Sequence, residues 1–416
     1  MSDATLPALE VPAPPEGRPA HTRLALLALA LGGFAIGTTE FVTMGLLPQV
    51  ADGVHIDIPT AGHIVSAYAA GVVVGAPVLA TLGARLPRRT LLLWLMAFFA
   101  VANVGSSLAS GYGSLMVARF LSGLPHGAYF GIASLVAASM VPVARRTWAV
   151  AMVLTGLTVA NIVGVPVTTR LGQLYGWQWP YAAVGVIALL TVLAVWRWVP
   201  SGGVGGDTSA RAELRALTRP QVWFALAIGT VGFGGMFATF SYIAPTMTGL
   251  GGFGSATVPL LLALYGVGMT LGTVASGRVA RLGLLNGIIL ALASIAALLS
   301  VFALAVATSP ASALVAVLLL GFLPSVLVPM LQTRLMDVAH EGQALAAALN
   351  HSTLNIANAL GAWLGSVVLA AGLGYEWPSR VGAVLAVLGL AIAVWSAAAE
   401  PATRAAGGAA PATHAG

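Results

Sequence analysis

Apolar residues in this chain come in long unbroken runs, not at alternating positions. With Pro, Gly and Arg read as punctuation, about twelve runs lie near 24–48, 60–83, 90–109, 114–140, 147–171, 179–199, 221–247, 257–279, 284–307, 311–334, 343–371 and 378–398. A helix that crosses a bilayer needs about 20 consecutive apolar residues. Membrane barrels show short alternating segments instead. The pattern therefore predicts an all-α integral membrane protein of twelve transmembrane helices.

The polar residues between the runs predict orientation. Arg85, Arg88 and Arg89 follow the second run, and Arg145 and Arg146 the fourth. Arg197, Arg211, Arg215 and Arg219 sit in the middle, and Arg278, Arg281 and Arg334 mark later even-numbered connections. The loop after the first run has Asp52, His55 and Asp57 but no Arg, and those near Ser110, Gly251 and Ser309 have none. Arg concentrates on the cytoplasmic side of membrane helices, so both termini are expected there.

The chain also repeats. Ala160-Asn161-Ile162-Val163-Gly164 in the fifth run answers Ala357-Asn358-Ala359-Leu360-Gly361 in the eleventh, 197 residues on. Trp179-Pro180 answers Trp377-Pro378 at nearly the same offset. The expected organisation is two pseudo-symmetric six-helix halves, 23–200 and 220–400, joined by a cytoplasmic linker at 201–219. Segments 1–22 and 401–416 read as disordered tails. The first tail lacks the apolar core of a signal peptide.

Composition sharpens this picture. Charged residues are 7% and hydrophobic residues 58% of 416, against roughly 25% charged in soluble domains. All 18 basic residues are Arg. Their placement assigns the net charge of +6 to topology and not to nucleic acid. With no Cys, disulfides and thiolate metal sites are excluded. No phosphate-binding loop, zinc helix or nucleophile elbow appears, so no cofactor, no metal and no enzymatic activity are expected.

Against that background Glu40 stands out. It lies inside the first run, with no other ionisable side chain between Arg23 and Asp52. An acid at membrane depth is costly and marks a functional site by default. About 16 residues into the helix, at 1.5 Å each, it falls about 24 Å deep, in the outer half of the bilayer core. The alternatives are a structural hydrogen bond or a side chain reaching the outer interface.

A family resemblance rests on specific segments. Gly37-Thr38-Thr39-Glu40-Phe41-Val42-Thr43-Met44-Gly45-Leu46-Leu47-Pro48 and Ser66-Ala67-Tyr68-Ala69-Ala70-Gly71-Val72-Val73-Val74-Gly75-Ala76-Pro77 resemble drug–proton antiporters of the major facilitator superfamily. The most similar branch is that of the chloramphenicol-exporter and arabinose-efflux-like proteins. The resemblance covers roughly residues 24–398. It implies a twelve-helix exporter in a bacterial plasma membrane, acting as a monomer on small-molecule substrate and protons. Multidrug efflux and antibiotic resistance are the expected physiology. Export or facilitated passage of a sugar or metabolite is the alternative, with a membrane-embedded enzyme or receptor more remote.

The resemblance also assigns roles. Leu82-Gly83-Ala84-Arg85-Leu86-Pro87-Arg88-Arg89 occupies the superfamily's gating loop. Ala84 stands where that motif has Asp, and Pro87 where it has Gly, so Arg85, Arg88 and Arg89 serve gating or topology alone. Arg119-Phe120-Leu121-Ser122-Gly123-Leu124-Pro125-His126-Gly127 is similar to the embedded-Arg motif. Arg119 and His126 fall on one helix face two turns apart and join Glu40 as proton-coupling candidates. A snorkelling Arg119 and a structural His126 are the alternatives. Gly156, Gly164 and Pro166 resemble the antiporter motif of the fifth helix, read as close packing with a Pro kink.

Gly123, Gly127 and Gly131 form a small-residue series expected to admit a neighbouring helix. His351, Asn355 and Asn358 share a face of the eleventh run. Phe233, Met236, Phe237 and Phe240 share one of the seventh, suited to an apolar pocket or to packing. With Tyr68 and Asn161, these residues are the candidate lining of a substrate cavity.

Overall fold

The computed structural model describes residues 19–83, 86–142, 145–201, 218–339 and 343–408. Arg85, most of the linker at 201–219, most of the first tail and half of the second lie outside the described residues. Among those described there is no strand. Twelve helices are long and apolar enough to cross a membrane: His21–Gly45, Ile58–Ala76, Arg88–Ser107, Tyr112–Ser139, Ala149–Tyr175, Gln178–Trp198, Pro220–Phe240, Ser255–Leu282, Leu284–Thr308, Pro310–Ala339, Leu349–Ala370 and Trp377–Ala399. They are called the first to twelfth spans below. The last helix runs on to Gly408, past the expected boundary near 400.

Pairing between spans repeats itself. The first span packs on the fifth and sixth, the second on the fourth, and the third on the fourth and sixth. The seventh likewise packs on the eleventh and twelfth, the eighth on the tenth, and the ninth on the tenth and twelfth. One sequence device produces the closest of these pairs twice. A methyl group at Gly71 or Gly123 would strike the backbone of the facing helix, at Phe120 and Tyr68 respectively. Gly268 and Gly321 stand in the same relation to Leu318 and Tyr265. Without a hydrophobic drive between helices in lipid, close backbone approach is what holds such pairs.

The glycine series departs from expectation at its end. Gly123 and Gly127 face the second span, but Gly131 faces open space. In the fifth span, Gly156 abuts the Ala30 backbone and Gly164 abuts Thr38 and Phe34, so this helix packs on the first. The expected kink takes the form of a wide helical turn over Ala160–Gly164, and Pro166 follows at the start of the next segment. Proline has no N–H to give to the carbonyl four residues back, and a wide turn absorbs that loss.

Arg clusters at one set of span ends, here the linker face, where Arg23, Arg88, Arg89, Arg145, Arg197, Arg219, Arg278, Arg281 and Arg334 lie. Arg170 and Arg380 lie at the opposite face and are exceptions to the alternation. The second and eleventh spans form the broadest contact between the first and last six, and the fifth meets the eighth. Among the described residues, four hydrogen bonds join these two groups of spans. Ser66 Oγ donates to the Ala359 carbonyl at 3.1 Å, and Gln173 Nε2 to the Ser255 carbonyl at 2.7 Å. Ser366 Oγ donates to the Pro59 carbonyl at 2.8 Å and lies 3.2 Å from His63 Nε2. All four lie between mid-span and the opposite face. Toward the linker face the link is a ring stack, Phe130 on His351, with centroids 5.9 Å apart.

Candidate functional site

The first span is the most enclosed of the twelve, with 78% of its apolar window buried. Thr38, Thr39, Glu40 and Thr43 are therefore all buried, and polar atoms without water must find partners within the protein. Thr39 finds two. Its hydroxyl donates to Asn103 Oδ1 at 2.6 Å and accepts from Arg119 Nη1 at 2.9 Å. Its carbonyl accepts from Arg119 Nη2 at 3.0 Å. Asn103 is fixed in turn by donating to the Phe99 carbonyl at 2.8 Å.

Arg119 is 0% exposed, so it does not snorkel. Besides Thr39, its Nη1 reaches Ser122 Oγ at 3.5 Å. Its guanidinium lies 4.4 Å from the Tyr68 ring centroid and 5.2 Å from that of Tyr181. A desolvated cation against an aromatic face gains about 2 kcal/mol or more. Thr43 and Tyr181 hydrogen-bond at 2.8 Å, which ties the sixth span to the same box. Arg119 Nε stays unused, buried without a partner.

Glu40 is 7% exposed, and among the described residues it makes no hydrogen bond or close ion pair. Its carboxyl lies within electrostatic reach of Arg119, Tyr68 and Tyr265. It reaches neither the outer interface nor a structural hydrogen bond. The neighbouring Phe41 packs edge-on against Phe240 of the seventh span at 5.9 Å, and Phe240 stacks on Tyr265 of the eighth at 3.9 Å. Glu40 is thus next in the chain to an aromatic plug, Phe41, Phe240 and Tyr265, that joins the first, seventh and eighth spans.

His126 belongs to the same cluster. Its Nδ1 lies 3.0 Å from the Tyr68 hydroxyl, so one tyrosine contacts both His126 and Arg119. Its ring sits 5.4 Å from Phe130, which stacks on His351 of the eleventh span. Glu40, Arg119 and His126, expected as one group, lie around Tyr68, which was expected among the cavity-lining residues. Sequence reasoning missed Asn103 and Tyr181. Each is a lone polar group in an apolar run, the same kind of signal that singled out Glu40.

Other candidates lie apart from that cluster. Asn161 donates to the Leu157 carbonyl of its own helix at 3.0 Å, and its backbone packs on Gly266 of the eighth span. Phe233, Met236, Phe237 and Phe240 are all buried. Phe233 packs on Phe237 and Met236 accepts from Tyr265, so this face belongs to the packed plug. Asn355 donates to the His351 carbonyl at 3.0 Å and Asn358 has no partner, so neither hydrogen-bonds another helix. On the linker face Arg89 Nη2 donates to the Trp196 carbonyl, which ties the third span to the sixth.

Twelve spans in repeated pairs around buried ionisable groups define a multi-pass membrane transporter. The comparisons give its family. The model described as Major Facilitator Superfamily matches residues 29–348, and the chain belongs to that family. It is 41% identical over 384 residues to "Inner membrane transport protein YdhP" of Escherichia coli (strain K12), covering 91% of this chain and 97% of that protein. It is 32% identical over 373 residues to "Chloramphenicol resistance protein" of Streptomyces lividans, covering 88% and 95%. A solved bacterial homologue of the human lysosomal transporter Spinster, inward-facing and unoccupied, superposes with a TM-score of 0.71 at 16% identity, covering 91% of this chain and 98% of that one. At that identity the likeness concerns the fold. The chain is a transporter and not an enzyme.

Proposed function

We propose that this transporter exports small apolar or amphipathic compounds across a bacterial plasma membrane in exchange for protons, with Glu40 as the proton carrier. The observation that carries the reading is a buried carboxyl with no hydrogen bond, beside a buried guanidinium whose Nε is unpaired. Burial favours the protonated carboxyl and a nearby cation the ionised one. A rearrangement that moves Glu40 relative to Arg119, or wets it, changes which form is favoured, and coupling needs such a change. Tyr68 transmits the rearrangement to His126, since it touches both.

The Arg bias supports a cytoplasmic linker face. Hydrogen bonds between the two groups of spans then hold the outer side closed, while toward the cytoplasm the described residues join them through the Phe130–His351 ring stack and no hydrogen bond. An exporter loads cargo in this arrangement. On opening outward, Glu40 takes a proton, and it releases the proton once access returns to the cytoplasm. Arg88 and Arg89 act at the cytoplasmic gate. The name of the Streptomyces lividans relative makes chloramphenicol the first compound to try.

The test is chloramphenicol accumulation in cells with and without expression, repeated with a proton uncoupler. Expression should lower accumulation, and the uncoupler should restore it. Lowered accumulation that survives the uncoupler would contradict proton exchange.

A further inference from the structure

Buried amides in this protein are not equally satisfied. Asn103 uses both ends of its carboxamide. Asn358 is 1% exposed, and neither its nitrogen nor its oxygen has a partner. Asn355 is 4% exposed and leaves its oxygen unpaired. At 3.6 residues per turn, His351, Asn355 and Asn358 share one narrow arc of the eleventh span.

Neighbouring residues orient that arc. His351 stacks on Phe130 of the fourth span, and the Ala359 carbonyl accepts from Ser66 of the second. Gly361 packs on the seventh span, and Ile356, Trp363 and Val367 are exposed on the far side, toward lipid. Both carboxamides therefore face inward, between the second, fourth and seventh spans. Each unpaired buried polar atom has given up its hydrogen bonds to water without replacement, at a cost to the folded state. A cargo that supplies the missing partners would recover that cost in the bound state.

Charge narrows the cargo. Of the 12 acidic residues in the sequence, only Glu40 lies away from the ends of the spans, and Arg119 already lies beside it. A permanently charged cation would need a further carboxylate, but the eleventh span offers neutral amides, which match neutral donors and acceptors. We propose that Asn355 and Asn358 are specificity-determining residues that dock a neutral amphipathic cargo bearing amide or hydroxyl groups, in preference to an organic cation. This rests on the export reading above.

The test is equilibrium dialysis of the purified full chain in lipid nanodiscs with two probes, chloramphenicol and tetraphenylphosphonium. No proton gradient is present, so a failure of coupling leaves the result untouched. The wild type should bind chloramphenicol more tightly than the cation by about tenfold or more, equivalent to about 1.4 kcal/mol. Asn358→Leu should weaken chloramphenicol about tenfold and Asn355→Leu about threefold, as expected for two lost hydrogen bonds and one. Neither should weaken the cation. If the Leu variants fail to fold, near-isosteric Asn358→Asp carries the test by reversing the preference between the probes. Chloramphenicol affinity unchanged in all folded variants, or a wild-type preference for the cation, would overturn the assignment.

Discussion

Two buried polar regions of this transporter behave in opposite ways. Around Arg119, spans one, three and four interlock: Thr39, Asn103 and Ser122 hydrogen-bond one another or the guanidinium, and Tyr68 and Tyr181 pack on it. On the eleventh span, Asn358 has no partner and Asn355 has one end free. The repeat makes the contrast direct. Asn161, which is 197 residues before Asn358, bonds its own helix. Equivalent positions in the two repeats have thus diverged. In the first region Thr39 and Asn103 use their polar groups to hold the guanidinium and only its Nε is left over, whereas in the second Asn358 leaves both ends of its carboxamide unpaired. The first region holds a charge in place, and the second is the one proposed above to dock cargo.

The contrast breaks most visibly at Arg119. Arg119→Met removes the charged hydrogen bonds to Thr39 and should destabilise the protein by about 3 kcal/mol or more, since hydrogen bonds to charged groups contribute roughly 1.5–3 each. Thermal unfolding in detergent reads this directly. Gly123→Leu comes next. Its side chain would meet the Tyr68 backbone and disturb the helix pair that presents Tyr68 to Arg119. A cost of about 1–3 kcal/mol or loss of folded protein is expected. Gly131→Leu, facing open space eight residues on, should unfold like the wild type.

Asn358→Leu should have the opposite sign. Removing unpaired buried polar atoms should leave stability unchanged or raise it by about 1 kcal/mol, although transport falls. Lost stability there would mean that the region is part of the structural network after all. The smallest effect concerns Asp57, at the end of the second span opposite the linker face. Hydrogen bonds from the Thr60 side chain and backbone N–H hold its carboxyl below the usual carboxylate range. A lowered value means stability that is present above the ordinary carboxylate range and lost as pH falls through the lowered one. Asp57→Ala should remove that acid-limb dependence and cost about 1 kcal/mol, as lost helix caps do.

Much of this was legible in the sequence because a bilayer imposes simple rules. Apolar run length marked all twelve spans, and the rarity of charge at depth marked Glu40 and Arg119. The Gly71–Gly123 and Gly268–Gly321 pairs lie in plain view at offsets of 197 and 198 residues, yet many other glycines dilute the signal. What could not be read was direction. Helical periodicity gives a shared face but not what the face meets, so Gly131 passed for a packing residue and Phe233 stayed open between pocket and packing. The partners of Arg119 were hidden because Thr39 and Tyr68 lie 80 and 51 positions away along the chain, on other helices.

The central claim is that Glu40 carries the proton while cargo binds elsewhere. The direct measurement is chloramphenicol transport by Glu40→Gln in inside-out vesicles, with proton-driven accumulation and gradient-free exchange assayed side by side. The account predicts that the variant loses accumulation against a gradient but keeps exchange of internal for external chloramphenicol. Full proton-driven accumulation by Glu40→Gln would contradict it.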